Sequence, residues 1–509
     1  MNKRKEQGLI ITLLTIISGV FVFYFSTSTS PICKGYYGDD SAMFQVIGKS
    51  WTQGLIPYIH TFDHKGPFIF FVNAVGYGMG NYGLLFLQWI FMILSFWGIY
   101  KIATLFGNFK YRLLCIAGSY LTLAIAYGTG NYTEEYSLLF LVFSLYFALV
   151  YFLNRKENPC HNPAYALWYG VTFSVIFLMR VTSAFMVCVI VLFVLICLLQ
   201  KKVWENILKN AVAFLTGFAL VLLPFCIYFA MQGALGDFIY GTIIHNVLYA
   251  EKSTIFIELG ASWSSALCAI LIIVILAFTA LLYLLQAEKQ EKVLPLFSLF
   301  LALGTICMFA RMNRYLHYYM IAMPYFSLAL GMTKKIYENA NGVFWKKITL
   351  YLCVGMMCLE TLIGGFKVVK HKRILTLNKK FATEFQNSCD NIMNQVPKEE
   401  RGQVLVFGSN ALSQWYLSAD LKPIYKYCFL QDWMSSCSKT IENEVSAYLK
   451  AGTCKWLVVD GDYETEEMQE TRCKEFKELI EEKYELVAVE KVETDYKCIL
   501  LYHLKSTEE

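Results

Sequence analysis

Asp39 and Asp40 form an acidic pair whose side chains suit acid–base chemistry. Phe44, Ile47 and Trp51 follow at helical spacing, which predicts a helix that lies on the membrane surface and begins at the pair. A carboxylate at such a place could act as general base towards a hydroxyl, or as one of two metal ligands. Taken alone, the pair favours a simpler interpretation, a helix N-cap with a solvated neighbour.

A set of cations is the second chemical feature. Alone, Lys65 in the run FDHKGP would be a lysine whose ammonium reaches the membrane surface. It belongs, however, to a group that stands at the poorly basic ends of the apolar segments: Lys65, Arg180, Arg311, Arg314 and His317. Cations kept on the side that the charge bias disfavours predict an anionic ligand, of which a lipid-linked phosphate or diphosphate is the simplest.

Further carboxylates lie at or inside apolar segments. Glu134 and Glu135 open one segment, where they either orient an acceptor hydroxyl or a metal ion, or simply begin a helix. Glu360 lies within another, where a carboxylate is a functional hypothesis by default and outward snorkelling is almost as good an explanation. No His/Cys cluster has metal-ligand spacing. The acidic pairs could hold a divalent cation, which is therefore a candidate cofactor, although no ligand spacing supports it further.

Membrane helices must position these side chains. Of the 509 residues 57% are hydrophobic and 16% charged, against roughly 25% charged in a soluble globule. A bilayer core takes about 20 apolar residues per helix, and stretches of that size predict about eleven spans. They lie near 9–26, 82–104, 113–129, 136–153, 164–182, 183–200, 209–231, 261–286, 293–310, 315–332 and 348–366.

Basic residues in the short loops predict the orientation. With the N-terminus in the cytoplasm, 17 of the 24 Lys and Arg residues within 1–366 fall in inner loops. We therefore expect a multi-pass protein of the cell membrane, with a transmembrane domain over 1–366. Residues 27–81 then form a large first outer loop, of a length that is usually functional, and 232–260 form a second long one.

Residues 367–509 have a soluble composition, with 20 basic and 24 acidic residues, and the odd span count places them outside the cytoplasm. Buried-strand patterns at 404–407, 456–460, 484–490 and 496–503 alternate with helical patterns near 375–395, 440–451 and 464–482, which predicts a small extracytoplasmic α/β domain. Six cysteines there permit disulfides without requiring them: Cys389, Cys428, Cys437, Cys454, Cys473 and Cys498.

Residues 39–67 resemble the first outer loop of bacterial GT-C fold membrane glycosyltransferases, of the protein O-mannosyltransferase and aminoarabinose transferase group. The matching features are Asp40 with Phe44 four residues on, GLIPY at 54–58, and FDHKGP at 62–67. TEE at 133–135 is similar to the group's second acidic motif, and RMNRYLHYYMIAMP at 311–324 to its late Arg/His-Tyr-Tyr…Pro span. The resemblance covers most of residues 1–330.

The resemblance implies a GT-C-like enzyme that moves a sugar from a polyprenyl-phosphate carrier to a cell-envelope acceptor on the outer face. It places the base on Asp40, with Asp39 as the alternative register, and the donor phosphate on Lys65, beside which we expect the rest of the cation set. The other candidate substrate contacts are Tyr58, Asp63, His64, Glu134 and Glu135. Gly-Pro follows Lys65 where better-known relatives have Pro-Pro, so their substrate is not carried over.

The same chemistry is coherent from the residues themselves. Cations would neutralise the leaving phosphate while a carboxylate takes the acceptor proton, and a single displacement would invert the anomeric centre. The partners would be the lipid-linked donor, membrane lipid and a polymer, lipid or protein acceptor; no basic–aromatic run points to nucleic acid. Two alternatives stay open: a transporter or flippase of an anionic lipid or solute, and a non-catalytic envelope assembly protein. The absence of an internal repeat disfavours the transporter.

Overall fold

The computed structural model describes residues 3–252, 263–288, 291–309, 315–338, 344–408, 410–429, 432–462, 474–492 and 497–506. The chain divides into two compact units. The first consists of Met1–Phe25, Gln88–Phe225 and Ile255–Lys372, and the second of Ser26–Leu87, Cys226–Thr254 and Arg373–Glu509.

Helices dominate both units. Within the described residues the α-helices are α1 (Lys3–Phe25), α2 (Asp39–Thr52), α3 (Pro67–Gly78), α4 (Gly83–Thr104), α5 (Phe109–Ala126), α6 (Thr133–Asn154), α7 (Pro163–Phe177), α8 (Phe185–Lys201), α9 (Trp204–Met231), α10 (Leu235–Ile239), α11 (His245–Lys252), α12 (Trp263–Gln286), α13 (Val293–Phe309), α14 (Tyr325–Glu338), α15 (Phe344–Met393), α16 (Asn410–Ser418), α17 (Asp432–Ser436), α18 (Lys439–Lys450) and α19 (Lys474–Lys483). Shorter helical segments are the 3-10 turns Pro31–Cys33, Val181–Ala184, Leu316–Ala322 and Lys398–Gln403 and the π-helical Tyr240–Ile244.

Seven helices of the described chain are long and apolar enough to cross a membrane: α1, α4, α5, α6, α8 with the turn before it, α9 and α15. Shorter apolar helices coincide with α3, α7, α13 and most of α12. The expected membrane-helix architecture is confirmed in this coarse form, while the number of eleven spans stays a prediction. The segment predicted at 315–332 is not one helix, because a 3-10 turn and α14 meet at Pro324, which cannot donate a helical hydrogen bond.

In the first unit, α6 packs on α7 and α8, α8 packs on α13, and α12 packs on both α13 and α14. Helices α7 and α9 approach through reciprocal glycines. A Cβ on Gly170 would lie 2.0 Å from the carbonyl oxygen of Phe214, and one on Gly217 would lie 2.0 Å from that of Leu167. Small residues therefore set the close spacing of these two helices.

In the second unit, α2 packs on α3 and α16. The helix expected from the apolar spacing is observed, but its location differs from the expectation. Phe44 and Ile47 are each only 1% exposed, because protein rather than a membrane surface covers their face. The acidic pair therefore lies at the start of a helix that is itself packed against other parts of the protein.

The C-terminal part of the second unit contains a four-stranded sheet: β1 (Val404–Phe407), β2 (Trp456–Asp462), β3 (Tyr484–Val492) and β4 (Lys497–Leu504). Its order is β1-β2-β4-β3, with β1 parallel to β2 and the other pairs antiparallel. All four predicted strand patterns are strands. The helix predicted near 375–395 is the end of α15, whose 50 residues span about 75 Å. Of the six cysteines, Cys473 lies outside the described residues and the other five are free thiols.

Candidate active site

A fully buried tyrosine holds the loop between α2 and α3. Tyr58 has a φ of 70°, a left-handed conformation that costs a residue with a Cβ roughly 1–2 kcal/mol. Its hydroxyl donates to the carbonyl oxygen of Lys65 (2.7 Å) and accepts from Thr242 Oγ1 (3.3 Å). Three rings pack around it: Phe70, Phe229 and Phe238. These contacts fix the backbone that carries the following polar residues, and strain of this kind is often kept at functional sites.

Asp63 is completely buried in this loop. One oxygen, Oδ1, accepts a hydrogen bond from the backbone N–H of Lys65 (2.7 Å), and the other, Oδ2, is buried without a hydrogen-bond partner. Burial raises the pKa of the Asp63 carboxyl, Lys65 opposes the rise through its charge and its N–H, and the charge of Asp40 adds to it. Asp63 therefore holds a proton more readily than an ordinary aspartate.

His64 lies between the cation and the carboxylate. Its Nε2 is 3.0 Å from Lys65 Nζ, and its Nδ1 is 3.7 Å from Asp63 Oδ1. Lys65 is only 7% exposed, so its ammonium is held among protein groups instead of extending freely into solvent. An ammonium has no acceptor capacity, so the imidazole nitrogen facing it accepts the hydrogen bond.

The acidic pair begins α2, but neither carboxylate is the N-cap. Gly38, with a φ of 72°, takes that position without a side-chain hydrogen bond. Asp39 is exposed, whereas Asp40 is half-buried and close enough to Asp63 for the two charges to repel. Asp40 therefore joins Asp63, His64 and Lys65 in one group, which we call the loop cluster.

The segment from α10 to α11 supports the loop cluster, and its residues were not predicted to belong to the site. Asn246 Nδ2 donates to the carbonyl oxygen of His64 (2.7 Å), and Thr242 bonds Tyr58 as described. The backbone between α10 and α11 is π-helical, a conformation frequent at functional sites. The sequence signal was weak, because Thr242 and Asn246 are merely two polar residues four apart.

Residues of the C-terminal part hold the same segment. Lys426 Nζ lies 2.8 Å from Asp237 Oδ1 in α10, and the hydroxyls of Tyr240 and Ser438 are 2.6 Å apart. The ring of Tyr427 packs at 5.3 Å from that of Phe62, the residue before Asp63. The C-terminal part thus supports the loop cluster, which belongs to the same unit.

A second charged group lies in the first unit. Arg180 Nη1 donates to Glu134 Oε1 (2.6 Å), and its guanidinium carbon lies 3.3 Å from the centre of the Tyr318 ring. The ring of His317 stacks on Tyr132 at 4.0 Å with an interplanar angle of 3°. The structure therefore brings Glu134 and Arg180 together as an ion pair, with His317 stacked on the residue two before Glu134.

Glu135 has different surroundings from its neighbour. Its Oε2 accepts from Gln88 Nε2 (3.0 Å) and from the backbone N–H of Asn131 (2.8 Å), and its Oε1 accepts from the Tyr127 hydroxyl. Asn131 has a φ of 60°, so this carboxylate fixes a tight turn before α6. The bonds favour the interpretation of Glu135 as a residue that shapes the helix start.

Two predicted phosphate ligands, Arg311 and Arg314, lie outside the described residues. Within the described ranges, no three His, Cys, Asp or Glu side chains gather as a metal site. Glu360 is 1% exposed in α15.

Comparison with solved structures shows which fold the chain shares. The crystal structure of the Archaeoglobus fulgidus oligosaccharyltransferase in the apo form matches with a TM-score of 0.53 at 11% identity, covering 90% of this chain and 70% of that one. The archaeal oligosaccharyltransferase AglB from the same organism, in complex with an inhibitory peptide and a dolichol-phosphate, matches with a TM-score of 0.49 at 12% identity, covering 94% and 72%. The first likeness confirms the expected GT-C-like fold.

The family follows from the sequence match. Residues 4–343 match the family described as putative competence-induced protein Ccs4 N-terminal domain, so the chain belongs to that family. No curated protein matches the sequence significantly. The likeness to the bacterial protein O-mannosyltransferase and aminoarabinose transferase group stays a prediction.

Proposed function

We propose that the protein is a membrane glycosyltransferase that moves a sugar from a polyprenyl-phosphate donor to a cell-envelope acceptor on the outer face of the cell membrane. The fold it shares with the Archaeoglobus fulgidus oligosaccharyltransferase supports this class. Its apolar helices suit a lipid-linked donor, whose reacting phosphate would lie at headgroup level. Within the class, the motifs of the first outer loop favour kinship with the protein O-mannosyltransferase and aminoarabinose transferase group.

The loop cluster carries the proposal, because it combines carboxylates with a cation, Lys65, whose ammonium forms no salt bridge within the described part of the chain. Lys65 Nζ lies 3.0 Å from Nε2 of His64, which accepts its hydrogen bond. A phosphate oxygen is a stronger acceptor for an ammonium group than a ring nitrogen, so a bound phosphate would replace His64 in this contact. Asp40 is the proposed general base, since it is half-buried and close enough to Asp63 for their charges to repel, and Asp39 remains the alternative register.

The proposed reaction is one displacement. An acceptor hydroxyl attacks the anomeric carbon, the bond from that carbon to the phosphate oxygen breaks, and its electron pair leaves on the polyprenyl phosphate. Asp40 takes the hydroxyl proton, and Lys65 stabilises the negative charge that develops on the phosphate. Because no covalent enzyme intermediate is involved, the sugar is transferred to the acceptor with its anomeric configuration inverted.

The remaining residues have supporting roles in this proposal. Asp63 and His64 contact the substrate next to Lys65, and Tyr58 holds their backbone. Arg180, His317, Arg311 and Arg314 are further proposed phosphate ligands, and Glu134 is the proposed contact of donor or acceptor, whereas Glu135 shapes the start of α6. Arg180 is already paired with Glu134. We therefore propose that its main role is to balance the charge of Glu134, and that binding phosphate is its lesser role. A divalent cation stays a candidate cofactor.

We propose that residues 1–366 form the transmembrane domain, with the N-terminus in the cytoplasm, and that 367–509 form an extracytoplasmic domain. The contacts of Lys426, Tyr427 and Ser438 support a role of this domain in holding the outer loops.

Lipid analysis of a deletion strain tests the proposal and identifies the substrates. We expect a sugar-loaded polyprenyl-phosphate carrier to accumulate together with one undecorated envelope molecule. Wild type and Asp420→Asn should reverse the accumulation, because Asp420 has a side chain that is 86% exposed in a surface pair. Asp40→Asn should not reverse it. An unchanged carrier pool in the deletion strain would favour the transporter or assembly interpretation.

A further inference from the structure

The first unit contains a groove of about 370 Å³ between α8 and α13. Phe193, Ile196 and Gln200 recur along one face of α8, and with Cys197 they form one wall. The residues of α13 form the other wall and are apolar throughout: Val293, Leu296, Leu299, Phe300 and Leu303. Arg155, which follows the last residue of α6, completes the lining.

The lining of the groove combines packed aromatic rings with exposed apolar side chains. Two of its lining residues, Phe193 and Phe300, belong to a set of packed rings, in which Phe193 lies 5.3 Å from Phe297 and 5.6 Å from Phe300. Leu296 and Leu303 nevertheless remain 45% and 57% exposed. In a helix pair of a membrane protein, side chains exposed in this way contact lipid chains. The volume falls within the roughly 300–1,000 Å³ that small-molecule sites occupy.

Arg155 gives the groove one polar end. Its Nη1 donates to the thiol of Cys197 at 3.5 Å, and its Nε is buried without a hydrogen-bond partner. A thiol does not balance a guanidinium charge, and among the described residues no carboxylate forms a salt bridge with Arg155. A buried donor left unpaired is costly, and a phosphate oxygen is the acceptor that a guanidinium binds best.

The polar end of the groove coincides with the ends of the helices that build it. Helix α6 ends at Asn154, α8 ends at Lys201 and α13 begins at Val293. Further cations stand next to these ends in the sequence: Lys156, Lys201, Lys202 and Lys292. A cation-rich end of an apolar groove lies where lipid phosphates lie, and basic pockets between membrane helices favour anionic headgroups.

We propose that this groove binds an anionic glycerophospholipid. One acyl chain would lie along the walls of α8 and α13, and the headgroup phosphate would bind Arg155. In the predicted orientation this end faces the cytoplasm, so the lipid would come from the inner leaflet. No residue of the groove belongs to the loop cluster or to the Glu134–Arg180 pair, so the lipid site stands independently of the proposed sugar transfer.

Native mass spectrometry of the purified full chain tests the site. The protein would be titrated with phosphatidylglycerol or with phosphatidylcholine of the same acyl chains. We expect phosphatidylglycerol to bind the wild type at least tenfold more tightly. Arg155→Ala should reduce that preference to within twofold, and Leu296→Trp, which fills the groove, should weaken phosphatidylglycerol at least fivefold. Lys110→Ala, an exposed cation of α5 outside the groove, should change nothing.

Equal binding of the two lipids to the wild type would overturn the proposal, as would an Arg155→Ala variant that behaves like Lys110→Ala. A short-chain glycerophosphate that binds as tightly as the full lipid would also overturn it, because the apolar walls would then contribute nothing. Leu296→Trp keeps the proposal testable if Arg155→Ala does not fold, since it leaves the cation in place.

Discussion

At the scale of single residues, the loop cluster places two carboxylates and one ammonium in a site that is largely buried from solvent. Burial and the charge of Asp40 both raise the pKa of Asp63, so Asp63 retains its proton to higher pH than an ordinary aspartate. In the proposed reaction, this leaves Asp40 as the carboxylate that accepts the acceptor proton.

Lys65→Gln tests the phosphate contact. The substitution removes the charge that stabilises the leaving phosphate, so we expect kcat/KM for the lipid-linked donor to fall about 100-fold or more. Lys49→Gln is the matched control, because Lys49 pairs with Asp420 at the surface of the same unit, and it should change kcat/KM less than threefold. Equal losses in both variants would contradict a specific role of Lys65.

A double-mutant cycle on Glu134 and Arg180 tests the buried ion pair. Glu134 and Arg180 have side chains that are 1% and 13% exposed. Glu134→Gln leaves the guanidinium without its counter-charge and should lower the free energy of unfolding by about 3–5 kcal/mol. The double variant with Arg180→Gln should lose less than the sum of the two single losses. Strict additivity, measured by thermal unfolding in detergent, would mean that the pair is not coupled.

At the scale of elements, the packing of α2 on α3 positions Asp40. A Cβ added to Gly48 would lie 2.5 Å from Asn73 Cβ and 2.8 Å from the backbone nitrogen of Ala74, so the helices touch at this glycine. Gly48→Ala should therefore push them apart, destabilise the protein by about 1–3 kcal/mol and reduce sugar transfer. Gly78→Ala in α3, where a Cβ would meet nothing within 4 Å, should have no such effect. Thermal unfolding and turnover of the two variants provide the comparison.

Helix α11 carries an acid-sensitive residue. Burial lowers the pKa of His245 from 6.5 to about 4. The unfolded chain then binds more protons than the folded chain between these values, so stability is complete above about pH 6.5 and is lost as the pH falls towards 4. At pH 5 the loss should be roughly 2 kcal/mol. His245→Gln should flatten the dependence of the melting temperature on pH over this window, and an unaltered dependence would contradict the assignment.

The sequence predicted the helices and strands whose apolar residues follow a clear pattern. It did not predict the contacts between segments that are distant in the chain. Phe44, Ile47 and Trp51 predicted α2, because burial of one helix face imposes a period on the chain, and four short runs rich in apolar residues predicted β1 to β4. The support from Thr242 and Asn246 could not be predicted, since it joins segments about 180 residues apart. The same holds for Glu135, whose bonds to Gln88 and Tyr127 depend on how the chain folds back.

At the scale of the whole molecule, the chain combines apolar helices with a C-terminal part that is rich in charged residues and contains a four-stranded sheet. The GT-C-like fold and membership of the Ccs4 N-terminal family describe it at this level. The predicted orientation places the loop cluster and the C-terminal part on the outer side. Release of the carrier phosphate should therefore depend on residues of the second unit.

The measurement that tests the central claim most directly is carrier release by the purified full chain. The donor would be the sugar-loaded lipid that accumulates in the deletion strain, and the product would be free polyprenyl phosphate, quantified by chromatography. We predict that the wild type releases polyprenyl phosphate when the undecorated acceptor is added, and that folded Asp40→Asn slows release at least 1,000-fold. Undiminished release by Asp40→Asn and Asp39→Asn, or none by the wild type, would contradict the account.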